Sequence, residues 1–286
     1  MDTPTGVMDA MPDAEYHSHP ALSSTGARQL MPPNCPAKYR HWIDHPKPPT
    51  DAMKRGTAAH RIILGAGQQI DVHDVRDWKT KAARELRDES EAAGHIALTT
   101  AEYAEFVAMR DVLHSHPTIG RLFDADRGKP EQSLFWTDSR YGVPCRARID
   151  WMPNRAEGKR LVVVDYKTSK SAEPSEFARS AATFGYAQQA DFYMRGLKAL
   201  GIEKDPAFVF VTQETEAPYL VSITQITPDD MSLAHHLNDR ALWLFKQCRE
   251  SGVWPGYPEQ VVTIGLPAWW RINAETIIDQ EDEEDQ

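Results

Sequence analysis

One apolar strand that ends abruptly in opposite charges constrains this chain more than any other stretch. Leu161 to Val164 are four consecutive apolar residues, and Asp165, Tyr166 and Lys167 follow them directly. Alternation along a strand places Asp165 and Lys167 on one face and Tyr166 on the other. The simplest interpretation of these charges is an exposed ion pair at a strand end, which is common and contributes little to the stability of the fold. A buried pair would need a functional reason, because unpaired charges are costly to bury.

The preceding segment supplies a second acid. Residues 143–152 alternate as a strand that closes near Asp150, and a polar turn joins it to the apolar strand. A hairpin of this kind brings Asp150 beside Asp165. Two carboxylates form a hard oxygen site for a divalent cation such as Mg²⁺. With Lys167 next to them, they have the groups that phosphodiester hydrolysis requires.

Further polar residues are candidates on less specific grounds. His60, on a predicted helix over 52–64, is either a satisfied core residue or a metal ligand. Glu131, at the start of a predicted strand over 131–137, is either an acid near the site or an edge-strand residue. Gln189, on a predicted helix over 185–200, flanks an apolar stripe and either reaches the site or lies on the helix side.

Basic residues near the hairpin are candidates for binding nucleic acid. Arg146 and Arg148 alternate along the strand of Asp150 and face its side, so they would contact phosphate or pair with the acids. Lys170 follows the apolar strand in a loop. A net charge of −10 argues weakly against a nucleic-acid partner. A basic groove is nevertheless compatible with a negative total.

The predicted order of elements is helices, three antiparallel strands, a helix, two strands and a helix. This order indicates an α/β or α+β fold with a mixed central sheet flanked by helices. We expect one domain over 16–273, a disordered N-terminus over 1–15 and an acidic disordered tail over 274–286. The tail carries six acids within its last eight residues: Asp279, Glu281, Asp282, Glu283, Glu284 and Asp285.

Composition excludes several classes of protein. No apolar run is long enough to predict a membrane span. The three cysteines, Cys35, Cys145 and Cys248, are scattered and support neither a disulfide framework nor a zinc or iron–sulfur site. No secretory signal pattern opens the chain. We therefore expect a cytoplasmic protein.

The ordered motifs resemble the PD-(D/E)XK nuclease superfamily with its restriction-endonuclease-like core. The chain looks most like the C-terminal nuclease domain of exodeoxyribonuclease VIII (RecE type), a relative of lambda exonuclease and the RecB nuclease domain. The segments that carry the resemblance follow the family order and span most of the chain: 16–24, 55–60, 131–137, 144–150, 164–168, 177–182, 184–193 and 254–257.

The resemblance implies a role for each matching residue. His60, Asp150, Asp165 and the carbonyl of Tyr166 would be metal ligands, and Lys167 would be the catalytic lysine. The remaining site residues would be Glu131, as the acid ahead of the hairpin, and the Gln189–Tyr193 pair, as the Q-x-x-x-Y motif of RecB-like members.

The resemblance also implies an activity. It predicts a Mg²⁺-dependent DNA exonuclease, with Mn²⁺ as an alternative cofactor, that digests duplex ends from 5′ to 3′. The partners would be double-stranded DNA ends, a single-strand annealing protein and further copies of the chain in a ring. The alternatives are a RecB- or Cas4-like nuclease with another end preference or endonuclease activity, and a DNA-binding module without catalysis.

Overall fold

The fold is an α/β assembly seen in a computed structural model that describes residues 4–284, without the side chains of 281–284. In chain order the strands are β1 (Gly6–Met8), β2 (Ile70–His73), β3 (Ile96–Thr99), β4 (Gly128–Thr137), β5 (Pro144–Pro153), β6 (Val162–Ser169), β7 (Ala207–Glu214) and β8 (Val221–Thr224). The helices are α1 (Asp13–Ser18), α2 (Ser24–Gln29), α3 (Pro36–Asp44), α4 (Asp51–Leu64), α5 (Lys81–Ala92), α6 (Thr100–Ser115), α7 (Pro174–Phe184), α8 (Tyr186–Ala199), α9 (Pro228–Ser251) and α10 (Ala268–Glu284).

A six-stranded sheet forms the centre of the fold, in the order β1-β4-β5-β6-β7-β8. Neighbouring strands are antiparallel except β6 and β7, which are parallel. The predicted mixed sheet and the antiparallel meander of β4, β5 and β6 are both confirmed. β2 and β3 form a separate parallel pair.

Helices cover both faces of the central sheet and enclose two apolar cores. One core joins β4 to β7 with α2, α3, α7, α8 and α9, around fully buried residues such as Phe192 and Leu197. The other packs α4, α6 and β3 against β5, β6 and β7, around Phe106 and Leu113. Each side chain at the end of β6 therefore faces one of two different helical layers.

Local sequence signals fix where several helices begin. Thr50 and Thr227 accept hydrogen bonds from backbone N–H groups in the first turns of α4 and α9. Thr99 and Glu102 form a reciprocal capping box at the start of α6. These caps satisfy N–H groups that have no partner within the helix, and the predicted start of α4 at residue 52 lies close to the observed start at Asp51.

Both predicted disordered ends require correction. Residues 6–15 are not disordered, because β1 pairs with β4 and α1 begins at Asp13; residues 1–3 lie outside the described part. The tail from 274 to 284 lies in α10, and residues 285–286 are not described. The described part of the chain divides into two compact units, the first ending at Pro255 and the second beginning at Gly256. The single domain over 16–273 stays a prediction.

A buried polar network joins α8 to α9. Arg195 donates from Nε to Asp191 at 2.7 Å, and its guanidinium lies 2.8 Å from Asp239. Asn238, fully buried on α9, donates to Asp191 at 2.8 Å and to the carbonyl of Gln188 at 2.9 Å. Because buried polar groups must find partners, this network fixes the rotation of α8 about its axis.

No helix within the described residues combines the length and the apolar character that crossing a membrane requires.

Two helical glycines should respond oppositely to alanine. A Cβ on Gly196 would lie 2.8 Å from the Trp136 ring, whereas a Cβ on Gly56 would meet nothing within 4 Å. We expect Gly196→Ala to lower the free energy of unfolding by about 1 kcal/mol, since overpacking outweighs the gain in helix propensity. Gly56→Ala should raise it by up to about 1 kcal/mol. Chemical denaturation measures both, and shifts of equal sign would contradict the packing described.

Candidate active site

Three side chains from separate elements converge at one end of the sheet. His60 on α4, Glu131 on β4 and Asp150 on β5 offer potential ligand atoms that all lie within 4.8 Å of one another. His60 Nδ1 is 3.7 Å from Glu131, and its Nε2 is 3.8 Å from Asp150. The predicted approach of His60 to Asp150 is therefore observed, and Glu131 belongs to the same cluster.

The local backbone explains how Glu131 reaches this cluster. Its φ angle of 50° lies in the left-handed region, which residues other than glycine seldom adopt. The flanking residues Pro130 and Gln132 keep their register with β5, so the irregularity is confined to Glu131. Such conformations persist where surrounding contacts enforce them and concentrate at functional sites.

The backbone of Tyr166 forms the inner wall of the cluster. His60 Nε2 lies 3.0 Å from the Tyr166 carbonyl, and the Tyr166 N–H donates to Asp150 at 2.8 Å. The Tyr166 ring lies on the α4 face of β6, with its centroid 5.5 Å from that of the His60 ring, and its hydroxyl donates to Gln213 at 2.8 Å. Tyr166 therefore contacts His60 through both its carbonyl and its ring.

Asp165 and Lys167 share the face predicted for them. The Lys167 ammonium contacts Asp165 Oδ2, and Gln189 on α8 donates to Asp165 Oδ1 at 2.6 Å. The same Gln189 amide lies 3.3 Å from the hydroxyl of buried Tyr193. The Asp165 carboxylate is thereby engaged by Lys167 and Gln189 and is not one of the three clustered side chains. Its role as a metal ligand stays a prediction.

Burial and neighbouring charge shift the protonation of these groups. Burial, followed by the charge of Asp150, raises the pKa of Asp165 to about 6, and burial also raises the pKa of Asp150. Burial alone would lower the pKa of His60, but Asp150 and Glu131 raise it to about 9. Burial likewise opposes the charge of Lys167, whose pKa Asp165 and Asp150 nevertheless hold above its usual value. The site concentrates negative charge that a cation stabilises.

The clustered residues fit a divalent cation. Glu131 and Asp150 provide carboxylate oxygens and Tyr166 a carbonyl oxygen, which are the donors that Mg²⁺ and Mn²⁺ prefer. His60 adds an imidazole nitrogen, which a transition metal such as Mn²⁺ accepts more readily than Mg²⁺ does. The residues present are therefore sufficient to hold such an ion.

The guanidinium groups of Arg146 and Arg148 are engaged by protein groups and are not available for the predicted phosphate contacts. Arg146 is buried, and its guanidinium donates to the backbone carbonyls of Tyr16, His17 and His19. Arg148 is also buried and contacts Asp13, with a further bond of 2.8 Å to the Met11 carbonyl.

Both arginines therefore anchor the N-terminal segment to β5. The sequence left open whether these arginines contact phosphate or pair with acids, and the bonds to the N-terminal carbonyls were missed because that segment was expected to be disordered. Arg148 does pair with acids, since it contacts Asp13 and lies 3.8 Å from Glu131.

Two residues near the site were not predicted as functional. Arg28 on α2 and Tyr186 on α8 line a cavity together with Lys167 and Gln189. Tyr186 was visible in the sequence only as part of an apolar stripe, and Arg28 carried no motif signal. Lys170 is exposed in the loop after β6, and its predicted contact with DNA stays a prediction.

Comparison with known families agrees with this geometry. Residues 24–265 match a family described as a PDDEXK-like domain of unknown function (DUF3799). The chain belongs to this PDDEXK-like family. A search of curated proteins finds no match.

One solved structure shares the fold. The crystal structure named "Putative exonuclease" from Eubacterium rectale aligns with a TM-score of 0.55 and 10% sequence identity, covering 86% of this chain and 91% of that one. At this identity the likeness concerns the fold. The assignment of Asp150 and the Asp165-Tyr166-Lys167 triplet to the motif after which the family is named stays a prediction.

Metal binding should be measurable through stability. We expect Mn²⁺ or Mg²⁺ to raise the melting temperature, because a ligand that binds only the folded state stabilises it by about 2.7 kcal/mol at a hundredfold excess over Kd. Asp150→Asn should abolish the metal-induced shift, measured by differential scanning fluorimetry. Asp111→Asn, which changes an exposed acid paired with Arg110, is the control. An undiminished shift in Asp150→Asn would exclude the clustered residues as the metal site.

Proposed function

We propose that this PDDEXK-like protein is a metal-dependent DNA exonuclease that hydrolyses phosphodiester bonds at duplex ends. The observation that carries the proposal is the cluster of His60, Glu131 and Asp150 beside the Lys167–Asp165 pair. The family match and the structural neighbour support a nuclease. Digestion from the 5′ end, which leaves 3′ single strands, rests on the resemblance to exodeoxyribonuclease VIII.

The site residues divide the chemistry among them. Asp150, Glu131, His60 and the Tyr166 carbonyl would hold a divalent cation. That ion would lower the pKa of a bound water and polarise a phosphoryl oxygen. The protein's own contribution is to hold these donors in place before the DNA arrives.

Lys167 supplies the second positive charge. Its ammonium contacts Asp165, which Gln189 fixes from the other side, so the lysine is held at the edge of the cavity. A positioned ammonium stabilises the negative charge that develops on the phosphoryl oxygens during hydrolysis. Gln189 and Tyr193 act through Asp165, as positioning residues.

The proposed biological setting follows the same resemblance. The 3′ single strands would be the substrate of a single-strand annealing protein in phage-type recombination. Further copies of the chain would assemble into a ring around the DNA, in the cytoplasm of a bacterium or of a phage-infected host.

Digestion of end-labelled linear duplex tests the proposal. With Mn²⁺ or Mg²⁺ we expect the 5′-labelled nucleotide to be released before the 3′-labelled one. EDTA should stop the release. Asp150→Asn and Lys167→Gln should each lower the rate at least about a hundredfold, because both remove stabilisation of developing charge. Asp111→Asn should cut at the wild-type rate.

The other outcomes separate the alternatives. Nicking of closed circular DNA would indicate an endonuclease. Release of the 3′ label first would reverse the polarity. DNA binding by the wild type without cleavage under any metal condition would favour a non-catalytic module.

A further inference from the structure

A cavity of about 290 Å³ opens beside the catalytic lysine. Arg28, Lys167, Phe184, Tyr186 and Gln189 are among the residues that line it. Lys167 and Gln189 belong to the site described above, whereas Arg28 and the two aromatic residues have no part in the proposed chemistry. The cavity thus extends the site towards a second cation and an aromatic surface.

Arg28 is a half-buried cation that pairs with no acid among residues 4–280, whose side chains the structure describes. By contrast, the buried Arg148 and the half-buried Arg195 contact carboxylates, and the buried Arg146 donates to three backbone carbonyls. Burial lowers the pKa of Arg28, and only Tyr186 opposes this shift. A desolvated guanidinium without a counter-charge, facing a cavity, is suited to a phosphate.

The chain is built to let Arg28 reach this position. Gly185, between α7 and α8, has a φ of 68°, and a Cβ there would lie 2.6 Å from Arg28 Cδ. Glycine is therefore required both for the backbone conformation and for the close passage of the arginine.

Helix α2, which carries Arg28, is fixed by packing. Ala27 and the nearby Leu30 are both buried in the core that also contains α8. A Cβ on Gly26 would lie 3.0 Å from Leu22 and 3.1 Å from Tyr39. The guanidinium is consequently presented from a fixed helix rather than from a loop.

Stacked aromatic rings form another part of the cavity lining. The rings of Phe184 and Tyr186 are stacked with centroids 5.8 Å apart, and Tyr186 stacks on buried Phe210 at 5.6 Å. The Lys167 ammonium lies 5.1 Å from the Tyr186 ring centroid. Phe184, at the outer end of the stack, is 52% exposed and offers a surface on which a base can stack.

We propose that this cavity is a subsite for one unpaired nucleotide of the strand being cut, with its phosphate on Arg28 and its base on Phe184. This inference rests on the proposed function. The cavity offers one cation for a phosphate and one exposed ring for a base, so we expect the nucleotide next to the cleaved bond to leave the duplex. Ends that are already unpaired are then the better substrates, because they spare the cost of opening a pair.

Binding of a single-stranded oligonucleotide in EDTA tests the subsite without cleavage. We expect Arg28→Gln to weaken binding about tenfold and to reduce the slope of log K against log salt by about 0.7, the value for one phosphate contact on a single strand. Arg28→Lys should keep the slope. Phe184→Leu should weaken binding about fivefold to a hundredfold, as expected for one stacked base.

Matched controls show whether the effects are local. Arg121→Gln removes an exposed arginine elsewhere on the surface, and Tyr103→Leu removes an exposed aromatic ring on α6. Both should bind as the wild type does. Wild-type affinity and salt slope in Arg28→Gln would overturn the subsite.

Cleavage of two duplexes that differ only in their last two base pairs provides the second test. At limiting DNA we expect the wild type to cut the mismatched end about tenfold faster than the paired end. Equal rates on both ends would overturn the requirement for an unpaired nucleotide. Absence of cleavage on every DNA would overturn the proposed function instead, and the binding measurement would still decide on the subsite.

Discussion

The buried carboxylate of Asp165 is the group on which the arrangement of this site depends. It terminates the apolar run of β6 and is only 1% exposed. A lone carboxylate at such a position would be strongly destabilising, so the fold surrounds it with the Lys167 ammonium and the Gln189 amide. The same contacts that make the acid tolerable hold the lysine at the cavity. Stability and the proposed chemistry therefore draw on one set of interactions.

The remaining groups arrive from two helical layers that meet at this end of the sheet. On one face, α4 packs through the fully buried Ala58 and Ala59, which bring His60 close to the strands. On the other face, the Arg195 network and the close contact of Gly196 with Trp136 fix α8, which carries Gln189. Each layer has its own core, and neither layer alone completes the site.

Sequence reasoning located the chemistry better than its surroundings. The alternation along β6 predicted that Asp165 and Lys167 would share a face, as observed, because strand periodicity is a local property. The approach of Asp165 to Asp150 around one metal ion stays a prediction. The family resemblance, rather than any local pattern, singled out Glu131 as a functional acid, and no pattern indicated its left-handed backbone. The expected pairing of an arginine with acids is observed for Arg148, whereas the bonds of Arg146 to backbone carbonyls were missed because those carbonyls lie more than a hundred residues away in sequence.

Local patterns were enough to predict the strand that ends in Asp165, the helices that carry His60 and Gln189, and the mixed order of strands and helices. These follow from short-range preferences of a few neighbouring residues. The resemblance grouped His60 with the Tyr166 carbonyl, but their direct contact across 106 residues and the cavity that Arg28 shares with Lys167 emerge only from the folded arrangement. Such meetings depend on strand order and helix packing, which arise from the competition of all apolar surfaces for burial and leave no periodic trace along the chain.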